Sequence, residues 1–321
     1  MNNRLWSAGF WRAYWMTMRP YLIFISGAAG SVGLAFIREP GRSRMALAFF
    51  PLFFSYGLGQ ALTDCFQMDT DALSSPYRPL IRGIISRTQV LAVSLLGLFC
   101  GVLVLACLNP IILVFGGLAV LGLLTYTIFK KTWWGGPPWN SWIVALLPVM
   151  GRLVERDFPA GRLFHSADSP AFWLSVAAVF FGYANFVVMG YLKDISADRQ
   201  TGYRTFPVVF GWGATAVCSD SIALAASLCA GAALYSAGRL HVLGSSLFLL
   251  AAAISLSAQL RIHRTREERR AHGPIADIVR ALILYCGAII LTLRPEWVYL
   301  FVVYYLLFEI ILLRRPEQSQ V

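Results

Sequence analysis

Apolar residues dominate the chain in runs about as long as a bilayer is thick, and polar residues gather between them. Crossing ~30 Å of hydrocarbon at 1.5 Å per residue takes roughly 20 apolar residues in a helix. Such runs lie near 20–37, 45–62, 89–107, 110–129, 140–155, 171–192, 212–236, 241–260, 276–293 and 296–313. The run at 140–155 is short and interrupted by Pro148, and the last two are close enough to form a tight hairpin. The pattern predicts an all-α, multi-pass transmembrane bundle of nine or ten helices, a single membrane domain over 1–321. Composition agrees: 58% hydrophobic and 13% charged residues do not suit soluble domains.

Cytoplasmic loops retain Lys and Arg, so their distribution sets the orientation. With the N-terminus inside and ten spans, the inner segments hold eighteen Lys and Arg. The outer loops hold eight: Arg38, Arg42, Arg44, Arg152, Arg156, Arg162, Arg239 and Arg294, with Arg280 inside a span. This places the N-terminus and the polar loops described below in the cytoplasm. The net charge of +11 is spread over loops and forms no basic soluble domain, so anionic headgroups and an anionic substrate suit it better than nucleic acid. In residues 1–18, Trp6, Phe10, Trp11, Tyr14 and Trp15 among arginines read as an interfacial anchor, not a signal peptide. The six cysteines show no C-x-x-C pairing and read as small apolar packers.

Acidic residues are costly in membrane helices, so the positions of the sixteen here carry information. Asp64, Asp69, Asp71, Asp194 and Asp198 fall in two short segments. Most others, Asp157 and Glu317 among them, are loop residues, while Asp220 and Glu309 fall in spans and are expected near an end or beside a base. In the first segment, helical spacing puts Thr63, Gln67 and Asp71 on one stripe and Asp64 on a neighbouring one. Pro76 and Pro79 stop the helix, and Arg78 and Arg82 follow. Asp69 lies about 200° around the helix from Gln67 and cannot stand in for it. In the second segment, Asp194 and Asp198 are one helical turn apart and are expected to face the same way. Carboxylates with amide and hydroxyl oxygens suit a hard cation such as Mg²⁺, and arginines suit phosphate oxygens. Both segments follow even-numbered spans about four spans apart, so a fold of two four-helix halves brings them face to face, although no residue-level repeat is visible.

These residues resemble the UbiA-type intramembrane prenyltransferase superfamily, which includes hydroxybenzoate polyprenyltransferases and chlorophyll synthases. Its first motif is like N-D-x-x-D-x-x-x-D followed by an Arg-Pro-x-x-x-Gly loop, and its second like D-x-x-x-D-x-x-x-G. The matching positions are Asp64, Asp71, the Pro76–Pro79 loop ending at Gly83, then Asp194, Asp198 and Gly202. Further likenesses are Arg19-Pro20, Tyr126 with Lys130 and Lys131, and Asn140. The resemblance runs from about residue 19 to 293, and 296–313 looks like an addition to the usual nine helices. The family's Asn and middle Asp, which look like Mg²⁺ contacts there, are Thr63 and Gln67 here.

The resemblance implies Mg²⁺ held against a prenyl diphosphate by Asp64, Asp71, Asp194 and Asp198, with Thr63 and Gln67 contributing neutral oxygens. Arg78, Lys130, Lys131 and Lys193 would neutralise the rest of the diphosphate. Ionisation leaves an allylic cation in an apolar cavity, which Tyr56, Phe66, Tyr126, Phe186 and Tyr191 could line, Tyr126 foremost. An acceptor, commonly aromatic in the family, captures it. The alternatives are a terpene cyclase of the same superfamily and an ion-coupled transporter. A transporter is expected to carry mid-membrane carboxylates, whereas these sit at helix ends. A CDP-alcohol phosphotransferase needs a D-G-x-x-A-R signature that this chain lacks. The four histidines lack ligand spacing for zinc.

Overall fold

The computed structural model describes residues 4–39, 41–155, 158–159, 161–165, 167–238 and 241–315. Arg156, Asp157, Arg239 and Glu317, named above as loop charges, lie outside the described residues. In chain order the helices are α1 (Ala8–Thr17), α2 (Ile23–Ala35), α3 (Arg42–Asp64), α4 (Met68–Ser74), α5 (Arg87–Leu108), α6 (Ile112–Lys130) and α7 (Gly136–Leu153). They continue with α8 (Arg162–His165), α9 (Ser169–Tyr191), α10 (Ile195–Gln200), α11 (Phe206–Ser236), α12 (Val242–Arg264), α13 (His272–Leu293) and α14 (Val298–Leu313).

Each of the ten apolar runs forms a helix, because in hydrocarbon a backbone must satisfy its own hydrogen bonds within the segment. Among the described residues, eight helices are long and apolar enough to cross a membrane. The other two runs are α2, only 13 residues long, and α7, which continues through Pro148. α2 is buried along nearly its whole length and α7 along most of it from Ser141 onward, so neither presents a long lipid-facing row. By contrast α5, α6, α11, α12 and α14 show outward rows of large apolar side chains, such as Leu96, Val114, Leu228, Leu256 and Leu300. Apolar surface on this scale belongs in a bilayer, and the chain is a multi-pass integral membrane protein.

The helices follow one another around the bundle. α2 packs on α3, α7 and α13; α3 on α5, α5 on α6, and α6 on α7. The second half repeats this with α7, α9, α11 and α12, and α13 packs on α2, α9 and α12. Each half carries a short helix after its second long one, α4 after α3 and α10 after α9, and these two touch. The expected facing of the two polar segments is therefore present.

At the crossing of α2 and α7 the backbones meet: a Cβ on Gly33 would land on the Pro148 carbonyl, and one on Gly151 on the Gly30 carbonyl. Backbone cannot move aside as a side chain can. Replacing Gly33 by leucine is therefore expected to cost about 3 kcal/mol or more, read as a lowered midpoint of thermal unfolding in detergent.

α14 returns as the predicted hairpin partner of α13, through a turn at Pro295–Trp297. Its Tyr304 hydroxyl donates to the Phe24 carbonyl of α2. Glu309 accepts two bonds from the Arg280 guanidinium of α13, at 2.8 and 2.9 Å. Asp220 lies 2.7 Å from His263. Both in-span acids thus have the basic partners expected of them.

Candidate active site

Helix α3 ends at Asp64, and α4 starts only at Met68, so Thr63 to Asp71 is not the continuous helix that the spacing implied. Gln67 interrupts it with φ −124° and ψ 21°. The interruption turns Thr63, Asp64, Gln67 and Asp71 toward one cavity even though they share no helical stripe. Asp64 and Asp71 are buried, and such carboxylates persist only with partners. Arg78 pairs with Asp71 and lies 3.7 Å from Asp64. Arg19 Nη2 donates to both Asp64 oxygens at 3.0 and 3.2 Å, and Gln60 Nε2 donates to Oδ1 at 2.6 Å. Arg19 has φ 51°, the one positive φ outside glycine among the described residues. For an L-residue this costs about 1–2 kcal/mol, and here it brings the guanidinium from the end of α1 to the end of α3.

The second segment also departs from its helical reading. Asp194 precedes α10 with φ −119°, so the one-turn spacing does not apply, and it points to the cavity beside Lys193 Nζ at 3.3 Å. Asp198, within α10, turns away from the cavity and is wholly buried. It accepts from Thr70 Oγ1 at 3.2 Å and Thr205 Oγ1 at 3.1 Å, and lies 4.0 Å from Lys130 Nζ. Gly202 takes φ 77°, in the left-handed region that favours glycine, and the chain turns there so that the Tyr203 amide donates to the Asp198 carbonyl at 2.8 Å. The Tyr203 hydroxyl donates to Asp69 at 3.0 Å, so Asp69 clasps the two motifs together.

Burial raises the pKa of both second-segment carboxyls. For Asp194 that effect is outweighed by Lys193, then Lys130 and Arg78, so its pKa falls below the usual carboxylate value. For Asp198 burial prevails over the opposing Lys130 ammonium, and its pKa is raised.

The cavity between these segments measures about 1060 Å³. Its polar end carries Arg19, Asp64, Gln67, Asp71, Arg78, Lys130, Lys193 and Asp194. Lys130 Nζ donates to Gln67 Oε1 at 2.7 Å and lies over the Tyr191 ring at 5.8 Å. Deeper in, the Tyr126 and Tyr191 hydroxyls are 3.1 Å apart, Tyr183 donates to Tyr56 at 3.2 Å, and Asn140 donates to Tyr183 at 3.3 Å. Beyond these the walls are apolar, formed by α3, α5 and α6 with Phe186 of α9.

Of the predicted site residues, Lys131 is not on the cavity wall; it is exposed and stacks its ammonium over Tyr203 at 4.8 Å. Phe66 is also absent from the wall and lies under Arg87. Arg19, Gln60 and Tyr183 were not assigned to the site from sequence. Gln60 lies one turn before Asp64, and helical spacing could have found it. Arg19-Pro20 is a likeness to the family but carries no site role by itself, and nothing local signals Tyr183.

A family model described as the UbiA prenyltransferase family matches residues 22–276. The chain belongs to the UbiA prenyltransferase family. It is 26% identical over 201 residues to the digeranylgeranylglyceryl phosphate synthase of Pyrococcus furiosus, covering 60% of this chain and 67% of that protein. The synthase of the same name from Halobacterium salinarum is 32% identical over 158 residues, covering 48% and 52%. Among solved structures, a UbiA homolog from Aeropyrum pernix superposes with a TM-score of 0.70 at 19% identity, covering 84% of this chain and 97% of that one. A UbiA homolog from Archaeoglobus fulgidus bound to DMAPP and Mg²⁺ gives 0.63 at 18%, covering 86% and 98%.

As a UbiA family member the chain is a membrane prenyltransferase. The family match stops within α13, leaving α14 beyond it.

Proposed function

We propose that the protein uses a prenyl diphosphate as donor and Mg²⁺ as its metal, with the diphosphate at the polar end of the cavity and the prenyl chain along the apolar walls. The observation that carries this reading is a cluster of carboxylates and cations closing one end of a tyrosine-lined apolar cavity large enough for an isoprenoid. Among the described residues no three His, Cys, Asp or Glu side chains cluster to hold a metal by themselves. Mg²⁺ does not require that, since it usually takes one or two carboxylates and completes its shell with water and substrate phosphate oxygens. The donors that line the cavity are the carboxylates Asp64, Asp71 and Asp194 with the neutral oxygens of Gln67 and Thr63, while Asp198, expected as a ligand from the motif, is buried away from the cavity and does not reach it. The lining donors are all hard oxygens and fit such an ion. When bound, the metal supplies Lewis-acid stabilisation of the leaving diphosphate.

The chain's own groups do the rest. Arg78, Lys130 and Lys193 face the leaving group and neutralise charge as the carbon–oxygen bond breaks and its electron pair goes to the diphosphate. The ring faces of Tyr126, Tyr191, Tyr56 and Phe186 stabilise the allylic cation, and the apolar walls keep water from it. Asp198, set back behind the surface, positions Lys130 and ties α10 to α4. The acceptor attacks the cation and loses a proton. The name of the curated relatives makes a prenylated glyceryl phosphate the first acceptor to test, ahead of the aromatic acceptor expected from sequence. The excess of Lys and Arg in the loops assigned to the N-terminal side supports a cytoplasmic location for the N-terminus and the site. The whole chain acts as one membrane domain, with residues 1–18 at the interface, 19–293 as the core and 296–313 added to it.

Purified protein in detergent, given geranyl, farnesyl or geranylgeranyl diphosphate with Mg²⁺, is expected to release pyrophosphate and prenylate one of the two acceptor classes. A cyclised hydrocarbon formed without acceptor would instead make it a cyclase, and no turnover of any diphosphate would remove the donor assignment.

A further inference from the structure

The four motif carboxylates are not equally open to a cation entering from the cavity. Side-chain exposure is 4% for Asp64, 8% for Asp71 and 0% for Asp198, against 17% for Asp194. Both oxygens of Asp64 already accept from Arg19, Asp71 is held by Arg78, and Asp198 by two threonine hydroxyls. Asp194 alone combines a place on the wall with an accessible carboxylate. Across the cavity, Gln67 brings a neutral amide oxygen, and that oxygen accepts from Lys130 Nζ. A carboxylate in its place would neutralise the ammonium, whereas the amide aims it and leaves its charge intact. An ammonium has three donors, so after the bond to Gln67 the others remain for phosphate oxygens. Arg78 Nε is likewise buried without a hydrogen-bond partner among the described residues, on a side chain only 9% exposed that lines the same space.

We propose that this chain takes a single divalent cation with its prenyl diphosphate, on the Asp194 side, and that Lys130, aimed by Gln67, serves at the first motif in place of a second ion. The inference rests on the prenyl-diphosphate reading given above. Four cations at the site, Arg19, Arg78, Lys130 and Lys193, face the four carboxylates Asp64, Asp71, Asp194 and Asp198, so the protein shell is neutral before substrate enters. One divalent ion offsets most of the charge a diphosphate brings, and the directed N–H groups of Lys130 and Arg78 meet the oxygens that remain.

The test counts ions rather than turnover. Mn²⁺, which suits the same carboxylate and water ligands, is titrated by electron paramagnetic resonance into the full-length protein with a non-ionisable geranylgeranyl thiolodiphosphate. One bound Mn²⁺ per bound analogue is expected in the wild type, and two in Gln67→Asp. Two in the wild type would overturn the inference and leave the donor assignment standing. An analogue that does not bind with metal present would overturn both. Lys130→Met supplies a second check: at least a tenfold loss of analogue affinity with the ion count still one is expected. An unchanged affinity would show that the ammonium does not serve the diphosphate. Because the wild-type count needs no variant, a misfolded substitution cannot hide the result.

Discussion

Replacing Asp194 by alanine is expected to lower pyrophosphate release by on the order of 10²–10³-fold, the usual loss when one directed electrostatic contact to a developing charge is removed. Asp194 is the most exposed of the four motif carboxylates, lies on the cavity wall and is kept ionised by Lys193, Lys130 and Arg78. Its loss unpairs Lys193 but strands no buried hydroxyl, so the fall in thermal unfolding should be small. Asp198→Ala is expected to behave differently. It strands the hydroxyls of Thr70 and Thr205 and unpairs Lys130, so unfolding temperature and turnover should fall together. Measuring both quantities on both variants checks the division of labour, and equal turnover in Asp194→Ala and wild type would refute it.

The second large effect is on stability. Arg78→Met removes the shared partner of two buried carboxylates, and breaking a buried pair by deleting one member costs about 3–5 kcal/mol. Against a net stability of ~5–15 kcal/mol for a folded domain, this is a large fraction. The expected result is a markedly lower unfolding midpoint in detergent together with loss of diphosphate binding. Combining it with Asp71→Asn should return most of the stability, since the stranded charge goes too, but none of the binding. Recovery of both would mean that Arg78 serves only to neutralise Asp71.

Several features of the site are legible in the sequence. The two Asp segments, their place at helix ends, Arg78 and Lys193 stand out because charged residues are rare in this chain, whereas Lys130, Tyr126 and Tyr191 follow from the family resemblance; all of these side chains line the cavity except those of Asp69 and Asp198. Helical geometry does not carry across the helix ends. Gln67 and Asp194 both have non-helical backbone where regular spacing implies a helix, so facing relations drawn from 3.6-residue spacing fail there, although both residues line the cavity. Lys131 was misplaced for a related reason: beside Lys130 on the chain, it is exposed while Lys130 is buried, and periodicity alone does not say which neighbour turns inward.

Composition and run length by themselves determined the class of the molecule and the position of its ten long apolar helices, but not the short helices α4, α8 and α10. A backbone in hydrocarbon has to close its hydrogen bonds locally, and a local rule can be read from a local pattern. Tertiary structure decided which carboxylate is available and which is spent. Arg19 reaches Asp64 across 45 residues, Lys130 reaches Gln67 across 63, and Thr70 reaches Asp198 across 128. The first two pairings depend on how helices pack within one half of the bundle and the third on how the two halves meet, and no spacing within one segment encodes them.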